Sequence, residues 1–303
     1  MLVLCGIGAA RSQQLTPRAY VIAPVGTNAA VLEVSHLQGE LQLDSALISG
    51  ATTTATLPSV GYYRTFDLLG RTASLTLGLP YAFGKFQGTA VGVPHSFERS
   101  GRLDASLRLS VNLIGGPAMQ AQEFARWRQR MLLGLSLKVI APSGQYDSTR
   151  LVNWGANRWG FKPELGYSQR WGHWLLDTYV GGWFYTTNPE YFSRNAFYPG
   201  VRDQSESPIG SFEGHISYDV IQRLWISFDA NYWWGGRTAL NGISNPRTEQ
   251  KSSRVGLTAS VPFTVHQSLK LSFSQGAYVR YGGNYRSVSL AWQYSWFDAP
   301  SSH

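Results

Sequence analysis

The stretch Ser287-Val288-Ser289-Leu290-Ala291-Trp292-Gln293-Tyr294-Ser295-Trp296 alternates strictly between small or polar residues and apolar or aromatic ones. Successive side chains of an extended strand point to opposite faces, so Val288, Leu290, Trp292, Tyr294 and Trp296 share one face, while Ser287, Ser289, Ala291, Gln293 and Ser295 share the other. A charge-free run of this length suits a strand that crosses a bilayer with one face toward lipid. The same alternation recurs upstream. Leu269, Leu271 and Phe273 oppose Lys270, Ser272 and Ser274; Val255, Leu257, Ala259, Val261 and Phe263 oppose Arg254, Gly256, Thr258 and Ser260. Leu224, Ile226, Phe228, Ala230 and Tyr232 oppose Ser227, Asp229 and Asn231. Leu103, Ala105, Leu107, Leu109 and Val111 oppose Asp104, Ser106, Arg108, Ser110 and Asn112, and Leu133, Leu135, Leu137 and Val139 oppose Gly134, Ser136 and Lys138.

From near Ala29 to near Trp296 about twelve such strands are placed, an even number suited to an antiparallel up-and-down barrel. The polar faces carry Ser, Gly, Thr, Asn and isolated charges, where the outside of a soluble β-sandwich, the competing fold, would carry long Lys and Glu. Composition agrees: charged residues are 15% of the 303, beside 11 Trp, 16 Tyr and 32 Gly, against about 25% charged in an ordinary soluble domain. Beyond the first dozen residues no apolar run is long enough for a membrane helix, so a membrane-spanning form of this chain is a closed β-barrel.

Links between the strands alternate in length. Leu69-Gly70-Arg71, Trp171-Gly172-His173, Gln222-Arg223 and His266-Gln267 are tight, whereas Gln38 to Leu57, Ala82 to Arg102, Pro142 to Asn157, Thr187 to Pro208 and Gly235 to Gln250 are long. Short periplasmic turns and long extracellular loops have this asymmetry. Ile114 to Ala125 is long on the short side, and Tyr281 to Asn284 is short on the long side. Trp127, Trp159, Phe184, Trp234, Trp292 and Trp296 fall near strand ends on the outward face, where amphipathic rings favour the membrane interface. Met1 to Ala10 is apolar and ends in small residues, so residues 1–12 read as a signal peptide with a shortened start, cleaved before Gln13. Residues 13–28 read as a periplasmic arm, 29–297 as the barrel and 298–303 as a tail. The lone Cys5 lies in the leader, which leaves the mature chain without a disulfide.

Ala141-Pro142-Ser143-Gly144-Gln145-Tyr146-Asp147, then Leu151-Val152-Asn153-Trp154-Gly155-Ala156-Asn157-Arg158-Trp159 and Phe161-Lys162-Pro163-Glu164-Leu165-Gly166-Tyr167, resembles the signature of the outer-membrane "meta-pathway of phenol degradation" proteins. Arg18-Ala19-Tyr20 and Gly26-Thr27-Asn28-Ala29 resemble that family's opening. Ser143 and Gln145 stand where the family pattern has Thr and Asp. The resemblance implies a barrel tied to uptake of aromatic or other small hydrophobic compounds. Read physically, the Asn-rich run supplies side-chain amides that cap irregular backbone, and the segment either folds inward as a constriction or serves as a rigid assembly loop.

Strand parity points Glu33, Asp104, Arg108, Lys138, Lys162, Glu164, Arg170, Asp177, Glu213, His215, Asp219, Asp229, Arg254 and Lys270 into the lumen. These charges line a solute path or neutralise one another across it. Tyr63, Tyr179, Trp183, Tyr185, Trp225 and Trp233 also read as inward, offering flat faces on which an aromatic solute stacks. His215, Ser217 and Asp219 hold the inventory of a hydrolase, but neighbours on one strand face lie too far apart for a triad. The six His, at 36, 95, 173, 215, 266 and 303, have no metal-ligand spacing, and no phosphate-binding glycine loop is present, so no cofactor is expected.

The formal charge of +8 is dispersed, which argues against nucleic acid. Arg126, Arg128 and Arg130 form the tight cluster; placed at the start of a strand, they ring the periplasmic mouth or meet lipid phosphates. The expected partners are a small-molecule solute, outer-membrane lipid and lipopolysaccharide, and the barrel-assembly machinery that reads a C-terminal aromatic strand. The expected function is passive passage of small molecules, aromatic or hydrophobic ones included, across the outer membrane of a Gram-negative bacterium. A structural barrel with a blocked lumen and a membrane hydrolase stand as alternatives.

Overall fold

The computed structural model describes residues 15–42, 48–90, 93–150, 152–192 and 203–298; the leader and the end of the tail lie outside them. In chain order the elements are β1 (Thr27–Gln42), β2 (Ile48–Leu68), β3 (Arg71–Ala90), β4 (Val93–Arg102), β5 (Ser106–Ile114), α1 (Ala121–Arg126), β6 (Met131–Ile140), β7 (Gly160–Trp171) and β8 (Trp174–Tyr185). They continue with β9 (Gln204–Glu206), β10 (Ile209–Ile221), β11 (Leu224–Gly235), β12 (Thr238–Leu240), β13 (Ile243–Asn245), β14 (Gln250–Pro262), β15 (Gln267–Val279) and β16 (Gly282–Phe297).

Twelve of these strands close into an antiparallel barrel. Closure joins the ends of the chain: β1 pairs with β16 from Thr27 opposite Phe297 to Gln42 opposite Gly282. Closure also leaves none of the twelve crossing strands with an open edge, which the bilayer would not tolerate. β4 does not cross; it pairs with the far half of β3, Tyr81 opposite Arg102, while β5 pairs with the near half. β2 and β3 are 21 and 20 residues long, about twice what a tilted strand needs to span. With β4 they therefore rise as a wall at the long-loop end, where β9, β12 and β13 form a separate three-stranded sheet.

Every barrel strand presents apolar side chains outward: Leu32, Val60, Leu79, Leu107, Leu135, Leu165, Val180, Phe212, Phe228, Leu257, Leu271 and Leu290 are all exposed. A continuous apolar belt of this extent would be an aggregation surface in water and is the lipid-facing surface of a membrane barrel. Trp171 and Trp174 are exposed at the short-turn end, and Trp159, Phe184 and Trp234 at the other. The tightest turn, Leu69-Gly70, has both residues at positive φ, 54° and 77°, the primed geometry that matches strand twist. The Gly70 amide donates to Asp67 Oδ1 at 2.7 Å.

Four local expectations change. The link after β5 contains α1, so Arg126 ends a helix and only Met131 begins the next strand. Trp127 caps that helix and stacks on Phe124 at 5.8 Å, beside Ile22, Met119 and Leu132, rather than facing lipid. Leu103 and Ala105 lie between β4 and β5, where the chain leaves strand geometry, and Leu103 is buried inside the barrel end. Gln38 to Leu57 and Ala82 to Arg102 are mostly hairpin, not loop, because a sheet above the bilayer needs no apolar outer face to mark it.

Candidate functional site

Register places all twelve candidate path residues, Tyr63, Arg108, Lys138, Lys162, Glu164, Tyr179, Trp183, Glu213, His215, Asp229, Trp233 and Arg254, on the inward face. They do not form one surface. On the β7 to β11 side the lumen is filled by a buried polar network. Lys162 Nζ donates to Glu164 at 2.5 Å and to Glu213 at 2.9 Å, and Arg108 reaches Glu164 at 3.4 Å. His215 Nδ1 lies 2.9 Å from Asp229 Oδ1; Asp229 also accepts from Ser227 and Thr258, both at 2.6 Å. Buried charges persist only when paired and hydrogen-bonded, and these are. His215 thus turns to β11, while Asp219 is held by Arg18 and Arg170, so His215, Ser217 and Asp219 are not assembled as a triad.

The segment read as a periplasmic arm packs inside the barrel over its described residues. Its Tyr20 hydroxyl lies 2.8 Å from Ser136 Oγ and donates to Glu164 Oε1 at 3.1 Å. The Tyr20 ring rests on Gly134 and Gly166, where a side chain would collide with it, and lies 5.1 Å from the Tyr179 ring. The Ala19 amide donates to the Tyr179 hydroxyl at 3.0 Å, and Thr16 Oγ1 to Glu213 at 3.4 Å. Arg18 pairs with Asp219 at 2.7 Å and covers the Trp225 ring at 4.4 Å. Nearer the short-turn end Ile22 is buried against Met119 and Leu132. The physical reason is satisfaction of the wall: its buried carboxylates and hydroxyls find partners on the arm that water would otherwise supply.

The segment between β6 and β7 closes on the barrel from the other end. Trp154 is buried among Leu37, Ala55, Ala82, Phe86, Leu103 and Tyr285, over Gly84 and Gly101. Asp104 fastens it, accepting from the amides of Gly144 at 2.8 Å and Ala156 at 2.9 Å. Asn153 caps the turn as its residue type suggests: Oδ1 accepts from the Asp147 amide at 2.9 Å, and Nδ2 donates to the Arg150 carbonyl at 2.9 Å. At its exposed tip Asp147 is held below the usual carboxylate range by the hydroxyl and amide of Thr149.

Trp183, Trp233 and Tyr179 offer no free ring face. Trp183 is 1% exposed and stacks on Tyr185 at 5.8 Å; Trp233 is 0% exposed and donates to Gln250 Oε1 at 2.8 Å. Tyr179 lies between Tyr20 and His215. Sequence parity is right about their direction, but it does not see that neighbouring inward side chains are large enough to cover them.

On the other side of the lumen a chamber of about 260 Å³ stays open. Glu33, Ser35, Ser59, Ser106, Lys138, Arg254, Lys270, Ser272 and Ser289 supply its polar lining, Leu15 and Thr16 of the arm border it, and Leu37, Leu57, Leu103 and Tyr285 bound it toward the long-loop end. Arg254 lies 4.0 Å from the Tyr285 ring centroid and donates to Ser274 at 3.1 Å. Tyr63 is half-buried on β2. The roles of Leu15, Tyr20, Trp154 and Tyr285 were not read from the sequence. Glycines at neighbouring inward positions, Gly134 with Gly166, are the signal that marks a ring seated on the wall.

Over residues 45–298 the chain matches the family model described as "Putative MetA-pathway of phenol degradation". No curated protein matches it by sequence. The COG4313 outer membrane channel from Pseudomonas putida F1 is similar in structure, with a TM-score of 0.75 at 17% identity over 93% of this chain and 100% of that one. The beta domain of the Bordetella autotransporter Brka has a TM-score of 0.51 at 12% identity, covering 89% of this chain and 99% of its own. The transport unit of the autotransporter AIDA-I from Escherichia coli has 0.51 at 11%, covering 92% and 95%.

Proposed function

The chain belongs to the MetA-pathway phenol-degradation family, and from that premise we propose that it is an outer-membrane channel for passive passage of small aromatic or hydrophobic molecules. The supporting observation is the chamber: one side of the lumen holds a buried polar network, yet about 260 Å³ stays open beside the inserted arm. The apolar outer belt of the closed barrel supports a reading in which this chamber lies within the outer membrane. Exposed Arg126, Arg128 and Arg130 beside the short-turn end suit lipid phosphates, the long-loop end faces lipopolysaccharide, and the aromatic final strand suits the assembly machinery.

The arm favours a second reading, a barrel kept shut, since Tyr20 and Ile22 are 2% and 4% exposed within it. Liposome flux separates the two. Vesicles carrying the purified protein are expected to take up phenol faster than protein-free vesicles and a small sugar more slowly than phenol. Uptake of neither solute above the protein-free rate would leave the shut barrel as the account.

A further inference from the structure

Charge divides unequally across the lumen. In the filled half the carboxylates Glu164, Glu213, Asp219 and Asp229 are matched by Lys162, Arg108, His215, Arg18 and Arg170. Among the described residues that line the chamber, three cationic side chains, Lys138, Arg254 and Lys270, stand beside one carboxylate, Glu33. Glu33 itself accepts from Ser35 at 3.0 Å.

Lys270 is the distinctive member. Its register neighbours Ser260 and Ala291 are buried inward positions, so its side chain points into the lumen. It nevertheless remains exposed, and no carboxylate lies within ion-pair distance of it among the described residues. Around it Ser272 and Ser289 supply hydroxyls, while Leu15, Leu57 and Tyr285 supply an apolar side. A surplus of positive charge in a narrow low-dielectric passage concentrates anions, as rings of Lys and Arg do in anion pores. Hydroxyls beside an ammonium add donors for a carboxylate, and the apolar side covers a ring.

We propose that this chamber is a binding site for a small organic anion with an aromatic or other apolar body, an aromatic carboxylate being the fitting class, with Lys270 as its charge partner. The inference rests on the channel reading for its purpose but not for its test, because binding and passage are measured separately. Equilibrium dialysis of the purified protein in uncharged detergent would compare benzoate, benzyl alcohol and benzylamine. Benzoate is expected to bind best and benzylamine worst. Lys270→Glu is expected to weaken benzoate on the order of tenfold or more, the loss of one charge-assisted contact, and Lys270→Arg to retain it. Heat-modifiable migration of both variants on gels would show that the barrel is intact. Equal binding of the three probes, or benzoate binding indifferent to Lys270→Glu, would overturn the proposal. Benzoate bound without flux into liposomes would instead overturn the channel reading and leave the site standing.

Discussion

Tyr20 shows how much one residue decides. Its ring occupies the space that Gly134 and Gly166 leave, and its hydroxyl joins Ser136 and Glu164 on neighbouring strands. Arg108 sits over the same ring at 4.7 Å and donates to the Ala19 carbonyl at 3.2 Å. Filling the trough should therefore expel the arm while leaving the lipid face untouched. Gly166→Leu is expected to give a folded barrel whose arm is cut by added protease and whose single-channel conductance exceeds that of wild type. An arm as protected as in wild type would show that its seat lies elsewhere.

At the level of elements, a strand's two faces carry different obligations. On β16, Leu290 is half-exposed toward lipid, whereas its neighbour Ser289 pairs with Ser35 Oγ at 2.8 Å and borders the chamber. A charge on the lipid face costs about 2–4 kcal/mol near the bilayer midplane, and less toward the interfaces. Leu290→Arg should accordingly reduce insertion into vesicles, while Ser289→Arg should insert and change conductance. Equal insertion of the two would refute the assignment of faces. The β6 to β7 segment is an element of another kind, irregular in backbone but fixed by Asp104 from outside itself. Its rigidity is tertiary and depends on a carboxylate some forty positions earlier.

Across the whole molecule the barrel and its contents are separable. Each of the twelve strands is paired on both sides by other strands, and the arm contributes side-chain and amide contacts to the wall but no pairing of its own. Removing residues 15–25 is expected to preserve β circular dichroism and heat-modifiable migration, and to raise conductance. Failure of that deletion to fold would mean that the arm is part of the barrel's core rather than its plug.

The sequence by itself determined which residues face lipid and which face inward, because parity on a strand needs only the period of two and a bilayer that penalises charge. Leu290, Leu257 and Phe228 are exposed as that rule requires, and His215 and Asp229 point inward. It also marked the strand count and the capping role of Asn153. Only the tertiary structure decided what the inward residues meet. Trp183 and Trp233 have the parity of solute platforms, yet both are buried, since Ile140 and Ile209 from other strands, with Tyr185 two residues along from Trp183, close over them. The arm has no apolar periodicity to announce a destination. It is drawn into the lumen by Gly134, Gly166, Asp177 and Glu213, residues more than a hundred positions away. Direction is a local property of the backbone, whereas occupancy of a lumen is a sum over strands distant in the chain, and only the closed barrel brings them together.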